Sequence, residues 1–266
     1  MSSLLDRQES FVTEKFLALE EQLKKEADKP YEDTSNQILK TITKVFEKYK
    51  YFPSTLKYVL IKQELDRQKV FQQIRQHYGI MGLRYSEFLK GLLEDNFKEA
   101  QVQANSLIPN EEFIEVEYVE SSSVTDWTHR ANKHAEQIIA LILLFISQRK
   151  PLEEFAIEID LKVASQIYDA KRLARTEVAA VINGTCLGVW VKADVPNVKW
   201  TDATETIQFV NRDGSKRVTR VCSHCRGYAT GGEGGKGIYP IINLPSPCPA
   251  HPNCRCTLVP VIKNKK

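Results

Sequence analysis

The sequence has no long apolar run, and this absence argues against a membrane-spanning helix. The longest uninterrupted apolar stretch, residues 138–146, is far shorter than the roughly 20 residues that a transmembrane helix needs. The first residues also lack a basic patch followed by an apolar segment, which is the pattern of a secretory signal. We therefore expect a globular protein that is made in a cytoplasm.

The sequence also lacks the short motifs of common enzyme families. It has no P-loop, no Gly-x-Gly-x-x-Gly on a strand–helix turn, no His-Glu-x-x-His and no Gly-x-Ser-x-Gly. An apolar content of 42% and a charged content of 27% are ordinary for a globular protein. These features predict a protein that acts by binding and is not an enzyme.

The small net charge of +3 is unevenly distributed along the chain. Residues 211–266 contain ten Lys or Arg and two Asp or Glu, a net +8, so the preceding residues carry a net −5. Such asymmetry predicts an anionic partner for the C-terminal segment, either DNA or an acidic protein surface. A basic surface without any partner is an equally weighted alternative. The candidate contact residues are Arg212, Lys216, Arg217, Arg220 and Arg226.

Cysteine is nearly confined to one stretch near the C-terminus. Five of the six cysteines and two of the five histidines lie in residues 222–256. This stretch is rich in glycine and proline and too polar to build a core, so a structural zinc ion would supply folding energy. Cys222-x-x-Cys225 has the spacing of a zinc knuckle, and a second cluster after a long loop offers further ligands.

The expected cofactor is one structural Zn²⁺, which needs four of seven candidate side chains. The first knuckle is the firmer pair, because the second cluster offers more candidates than a single ion can use. The preferred ligands are Cys222, Cys225, His251 and Cys254, with Cys256 or Cys248 as a substitute and His224 as the remaining candidate.

Three other interpretations of these cysteines are less favoured. Disulfides are typical of secreted chains, and no secretory signal is evident. A redox-active Cys-x-x-Cys requires a βαβ context, whereas glycines and a predicted hairpin surround this one. A catalytic zinc needs an open position and a nearby carboxylate, and Glu233, in a glycine-rich tract, is the only carboxylate between the two clusters.

The first 105 residues have apolar side chains at helical spacing, which predicts successive amphipathic helices. Residues 106–128 interrupt this pattern with a short alternating run at 113–118, either a strand or an extended crossing. We predict a helical N-terminal domain over residues 1–120 and a second domain over 121–266, with a zinc-binding segment at about 218–262. The predicted helix boundaries are Lys29-Pro30, Pro53, a cap at Ser54, Gly79 and Asn105.

The second domain begins with helical patterns and ends with strand patterns. A helix is predicted from Thr128, followed by a long helix that starts near Pro151 and stops at Asn183-Gly184. Strands are predicted at residues 189–191, 198–200 and 257–262, and at 207–210 paired with 217–221 across a hairpin turn. The predicted fold class is α+β: a mainly helical N-terminal body followed by a small mixed α/β, zinc-stapled C-terminal module.

The C-terminal motifs resemble those of a known family. Residues 249–256, Pro-Ala-His-Pro-Asn-Cys-Arg-Cys, with Cys222-x-x-Cys225 upstream, resemble the end of phage minor head proteins of the Mu F-like group. Residues 174–179 (Ala-Arg-Thr-Glu-Val-Ala) and 199–201 (Lys-Trp-Thr) resemble the helix and strand motifs of that family. The resemblance covers about residues 152–261, and Cys248 departs from it, because a non-ligand is expected there.

The resemblance implies a minor capsid, or head morphogenesis, protein of a tailed phage or prophage. Such a protein joins the procapsid in the host cytoplasm, associates with the portal protein inside the capsid and stays in the virion. Scaffold protein, major capsid protein and double-stranded DNA are further candidate partners. The alternative is a stand-alone zinc-containing nucleic-acid-binding protein, which is weakened because Tyr228 and Tyr239 are the only aromatic residues in the zinc stretch.

Overall fold

A computed structural model describes residues 3–109, 112–119, 121, 126–202, 208–210, 216–218, 222–252 and 254–262. Helices dominate the described residues, and a small three-stranded antiparallel sheet lies in the C-terminal part of the chain. This combination confirms the broad α+β class. None of the described helices is long and apolar enough to span a membrane.

The helices account for most of the described backbone. A π-helical turn, Lys24–Asp28, separates the first two, and a short 3₁₀ turn, Glu233–Gly235, follows the last. The α-helices are α1 (Leu4–Leu23), α2 (Lys29–Lys48), α3 (Ser54–Arg67), α4 (Val70–Ser106), α5 (Trp127–Gln148), α6 (Leu152–Lys192) and α7 (Ser223–Thr230).

The predicted break before Pro53 is confirmed, because α2 ends at Lys48 and α3 begins at Ser54, but Pro30 and Gly79 do not end helices as predicted. Pro30 lies in the first turn of α2, where its missing N–H has no helical partner to lose, so the helical path continues through the π-turn. The predicted third helix instead breaks at Lys69, whose φ of 54° is left-handed, and α4 then runs past Gly79. Gly82 permits close helix packing, because an added Cβ would lie 2.6 Å from the Ala131 Cβ.

Contacts divide the chain into two compact units. The sheet unit comprises Met1–Leu19, Gly91–Val119 and Arg172–Lys266, and the helical unit comprises Glu20–Lys90 and Glu120–Lys171. Each unit combines segments that are distant in sequence, whereas the predicted domains were two consecutive pieces. The division into domains of residues 1–120 and 121–266 stays a prediction.

The helical unit contains a hydrogen-bonded group of buried polar side chains. The hydroxyl of Tyr31 lies 3.1 Å from the Nδ1 atom of His134, and Tyr78 donates to the Gln166 Oε1 atom at 2.8 Å. Gln166 in turn donates to the carbonyl of His134 at 3.2 Å. The sequence predicted an ordinary polar position for His134, but only 7% of the residue is exposed. Burial lowers the pKa of His134 to about 4.

Acid should destabilise the helical unit through His134. Its folded pKa lies below the ordinary value of 6.5, so the neutral form contributes stability above that value and loses it as pH falls toward 4. The loss should reach roughly 2–4 kcal/mol. Urea denaturation at about pH 7 and about pH 4.5 should show that His134→Gln lacks this pH dependence. His129→Gln, at an exposed position of α5, should retain it; an unchanged pH dependence in His134→Gln would contradict the explanation.

In the sheet unit, α6 continues beyond its predicted end. Asn183-Gly184 was expected to stop the helix, and residues 189–191 were expected to form a strand, but α6 runs to Lys192. Asn183 is 1% exposed and its side-chain amide bonds to the backbone of the following sheet, so it is a buried connector and not a cap. Val189 and Trp190 are fully buried, and Trp190 donates its indole N–H to the carbonyl of Ala104.

The strands that follow α6 form a sheet of order β4-β1-β5. The central strand, β1 (Asn197–Thr201), pairs antiparallel with β4 (Ile238–Pro240) and β5 (Thr257–Val261). The register places Trp200 opposite Leu258, and both side chains are fully buried. The structure therefore confirms the predicted strands near 198–200 and 257–262, which pair with each other as β1 and β5.

The predicted hairpin is present as a separate two-stranded sheet. Strand β2 (Gln208–Val210) pairs antiparallel with β3 (Lys216–Val218), and Phe209 lies opposite Arg217. The predicted turn residues Asp213 and Gly214 lie outside the described residues. The hairpin confirms the prediction from alternating β-prone residues on both sides of an Asp-Gly pair.

The alternating run at 113–118 forms neither a helix nor a strand in the part of the chain that the structure describes. Side chains of α4 bond to its backbone instead: Asn105 donates to the Ile114 carbonyl and accepts from its N–H, at 3.0 and 2.8 Å. Gln101 accepts from the N–H of Val116 at 2.8 Å. Of the two alternatives, the strand is therefore not supported.

Candidate metal centre

The Cys-x-x-Cys motif lies at the beginning of a helix. Cys222 is the N-cap of α7, and its sulfur accepts a hydrogen bond from the Cys225 N–H at 3.3 Å. The sequence predicted that this knuckle would follow a strand among glycines, and it missed the helix. A helix N-terminus presents unpaired N–H groups, which favour a thiolate over a neutral thiol. The motif is thus positioned to supply two sulfur ligands to a cation.

His251 is oriented toward both sulfurs of the knuckle. Its Nε2 atom lies 3.0 Å from the Cys222 Sγ and 3.0 Å from the Cys225 Sγ. Its Nδ1 atom lies 2.8 Å from the carbonyl oxygen of Pro252, which requires the ring proton to be on Nδ1. In the neutral ring Nε2 then carries no proton and can coordinate a metal, the usual arrangement of a histidine ligand.

A second group of ligand atoms adjoins the first and shares Cys225 with it. The sulfurs of Cys225, Cys254 and Cys256 lie within 4.8 Å of one another, as do the ligand atoms of Cys222, Cys225 and His251. The Cys225 and Cys254 sulfurs are 3.6 Å apart. A turn brings Cys254 into place, because its N–H donates to the carbonyl of His251 at 3.0 Å.

Cys248 is the remaining thiol of the cluster. It is 6% exposed, its sulfur donates to the Cys256 carbonyl at 3.3 Å, and it hydrogen-bonds to the side chain of Cys254. Six sulfur and nitrogen ligand atoms therefore converge in this part of the sheet unit, on Cys222, Cys225, Cys248, His251, Cys254 and Cys256.

The thiols differ in how easily they lose a proton. Hydrogen bonds from the side chains of Cys248 and Cys256 lower the pKa of Cys254 well below its ordinary value. Donation to Cys254, together with burial, raises the pKa of Cys256. Burial and hydrogen bonding to Cys222 raise the pKa of Cys225. In the metal-free cluster Cys254 is therefore the preferred thiolate of these three, and a cation would be needed to ionise Cys225 and Cys256.

All six cysteines of the chain are free thiols in the structure, so the disulfide interpretation is not supported. The sixth, Cys186, lies on α6, where it accepts from Gln8 and donates to the Ala100 carbonyl. Burial raises the pKa of Cys186 to about 12, so this thiol is neutral and part of the core. The cluster of Cys222, Cys225, His251, Cys254 and Cys256 could hold a metal ion.

The structure brings together every preferred ligand and both substitutes, while the choice of four among them stays a prediction. His224 is exposed on α7 and belongs to neither group of close ligand atoms. Glu233 is also exposed, and neither group includes a carboxylate. Within the described residues, the candidate ligands are thus sulfur and imidazole nitrogen, which suit Zn²⁺ better than Mg²⁺ or Ca²⁺.

Asn183 supports the cluster from α6, and sequence reasoning missed this role. Its amide donates to the Cys256 carbonyl at 3.2 Å and accepts from the Leu258 N–H at 3.1 Å. These bonds fix the backbone on both sides of residue 257, directly after the last candidate ligand. A buried asparagine inside a helical pattern gave no recognisable signal, because Asn-Gly is also typical of a helix end.

The candidate DNA or partner contacts are only partly described. Arg226 is exposed on α7, next to the Cys-x-x-Cys motif. Lys216 and Arg217 lie on β3, of which the structure describes the backbone alone. Arg212 and Arg220 lie outside the described residues. Clustering of these five cations therefore stays a prediction.

Comparisons with known proteins leave the resemblance untested. No protein-family model matches the chain, and neither curated proteins nor solved structures give a match. The metal-binding geometry consequently rests on this chain's own residues, and its role in a phage head is a proposal.

Proposed function

We propose that the Cys/His cluster is a structural zinc site that holds the C-terminal module together. The observation that carries the proposal is the convergence of six sulfur and nitrogen ligands from two segments that are distant in sequence. A catalytic zinc keeps one position open for water, whereas this cluster offers more protein ligands than one ion can use. A structural, non-enzymatic site, in which protein side chains fill every coordination position, agrees best with this excess of ligands.

We further propose that the chain is a minor head protein of a tailed phage or prophage. Support comes from the motifs that resemble the Mu F-like group, which meet in one compact unit. Residues 174–179 lie on α6, the same helix whose Asn183 bonds to the backbone of Cys256. The motif helix and the Cys/His segment are thus physically connected in this chain, as expected for parts of one functional module.

The capsid proposal can be tested in particles produced from the genome that encodes the chain. Purified heads should contain the chain in few copies, and it should co-purify with the portal protein. Cys225→Ser should prevent its incorporation, whereas Cys186→Ser should be incorporated normally. Absence of the wild-type chain from heads, with no association with the portal protein, would refute the capsid role and leave the zinc site to be judged separately.

The uneven charge supports different binding roles for the two ends of the chain. The acidic helical part would contact portal or scaffold protein, and the basic segment at 211–266 would approach DNA or the portal protein. Arg226 is the candidate contact whose exposed side chain the structure describes. Its position on α7 places a positive charge beside the zinc module.

Neutralising the basic segment should weaken binding to the anionic partner. We expect Arg212→Gln, Arg217→Gln and Arg226→Gln together to reduce binding to double-stranded DNA or portal protein by at least about tenfold at low salt. The slope of log affinity against log salt should become shallower for DNA by about one unit per lost phosphate contact. The matched control is Arg75→Gln, which removes a cation from the helical unit. If the triple variant bound both DNA and portal protein as tightly as the wild type, the proposed role of the basic segment would be refuted.

A stand-alone nucleic-acid-binding zinc protein is the alternative function. Single-strand binding of that kind uses exposed aromatic rings on which bases stack. Here the Tyr228 ring packs 5.0 Å from that of Trp200, and the Tyr239 hydroxyl donates to the Tyr228 carbonyl at 2.8 Å. Both tyrosines of the zinc stretch are thus engaged inside the module. Tight, salt-dependent DNA binding without any portal association would favour the alternative.

A further inference from the structure

The cluster contains more ligand side chains than one zinc ion can use. One of these side chains belongs to both groups of close ligand atoms. Cys225 belongs to both groups of close ligand atoms, with Cys222 and His251 on one side and Cys254 and Cys256 on the other. A tetrahedral zinc ion takes four ligands. Two tetrahedral zinc ions have eight coordination positions in total. Six ligand side chains fill all eight when two of them are thiolates that each bind both ions.

We propose that the cluster binds two zinc ions, bridged by the thiolates of Cys225 and Cys254. This inference rests on the proposed zinc site and extends it to a binuclear centre. The outer ion is held by Cys222, His251 and the two bridging sulfurs. The inner ion is held by Cys248, Cys256 and the same two sulfurs.

The distance between the two proposed bridging sulfurs agrees with this assignment. Zinc–sulfur bonds of about 2.3 Å place two sulfurs of one tetrahedral ion about 3.8 Å apart. The Cys225 and Cys254 sulfurs are 3.6 Å apart, as two thiolates that share the same ions require. Cys248 hydrogen-bonds to the side chain of Cys254 and to the carbonyl of Cys256, so it lies beside the inner position.

The net charge of the site does not oppose the binding of a second zinc ion. One zinc ion with three thiolates and a neutral histidine has a net charge of −1 and leaves two neutral thiols. Two zinc ions with five thiolates and the same histidine also have a net charge of −1. The second ion therefore converts the thiols of Cys248 and Cys256 into ligands without adding net charge to a buried site.

The two ions should differ in accessibility. Cys222 and His251 are only partly buried, whereas Cys248 is 6% and Cys256 is 3% exposed. A chelator should therefore reach the outer ion first, so zinc should leave the wild-type protein in two phases. The remaining inner ion would still be held by four buried cysteines.

Zinc stoichiometry tests the proposal directly. The full chain, purified under reducing conditions, should contain two zinc ions per chain by elemental analysis, and Cys186→Ser should also contain two. Cys222→Ser should keep the inner ion and Cys248→Ser the outer ion, so each should contain one. The cadmium-113 spectrum of the Cd²⁺-substituted protein should contain two resonances, and that of each of these two single-ligand variants one.

The possible outcomes separate this inference from the zinc site itself. One zinc ion in the wild-type chain, lost completely in Cys222→Ser and kept in Cys248→Ser, would overturn the binuclear centre while supporting a structural zinc site. No bound zinc in the wild-type chain, with metal supplied during folding, would overturn both. Two ions in the wild-type chain that both survive Cys248→Ser would contradict the assignment of the inner ligands.

Discussion

Cys225→Ser is expected to abolish zinc binding and to unfold the C-terminal module. Cys225 is 3% exposed and is the only residue common to the two groups of close ligand atoms found among the described residues. Structural zinc in small domains contributes on the order of 10 kcal/mol of apparent binding free energy, as much as the whole stability of many domains. Limited proteolysis should cut residues 222–262 rapidly in the variant, and elemental analysis should detect no zinc.

Cys186→Ser is the matched control for the loss of a buried thiol. Cys186 lies in the same sheet unit but bonds to Gln8 and Ala100 and not to the cluster. Its substitution should lower stability modestly and leave zinc content and protease resistance of residues 222–262 unchanged. If Cys225→Ser bound zinc like the wild type and resisted proteolysis equally, Cys225 would not be a ligand.

Asn183→Leu is expected to have the second largest effect. Leucine has a similar size, but it would leave the Cys256 carbonyl and the Leu258 N–H without their present partner. Each unpaired buried backbone group costs about 1–3 kcal/mol, so the free energy of unfolding should fall by roughly 2–6 kcal/mol. Urea denaturation of the zinc-bound protein measures this loss, and zinc affinity should also decrease because Cys256 is less well positioned.

Gly184→Ala provides a neighbouring control on the same helix. An added Cβ at Gly184 meets no atom within 4 Å, and alanine favours a helix over glycine by about 1 kcal/mol. This variant should be as stable as the wild type or slightly more stable. Equal stability of Asn183→Leu and wild type would show that the amide does not connect α6 to β5.

Much of the candidate site was predictable from residue type and spacing. Cys222-x-x-Cys225 and the dense run at 248–256 predict converging ligands because thiolates and imidazole at such spacings suit zinc. Alternating β-prone residues predicted the strands near 198–200 and 257–262. These features depend on local chemistry, which a sequence displays directly.

Features that depend on tertiary partners were not predictable. Asn183-Gly184 has the local signature of a helix end, yet Asn183 bonds to the backbone on either side of Thr257 in the folded chain. Pro30 was expected to end a helix, but a π-turn places it where proline is tolerated. The burial of His134 likewise depends on Tyr31, which is distant in sequence.

The zinc content of the purified chain, measured before and after chelation, tests the central claim most directly. The account predicts that zinc co-purifies with the protein, that a strong chelator removes it, and that its removal melts the C-terminal module while the helical unit keeps its circular dichroism. Readdition of zinc should restore the module. A metal-free protein with an intact C-terminal module, in which the five cluster cysteines react with a thiol reagent equally well before and after zinc is added, would contradict the account.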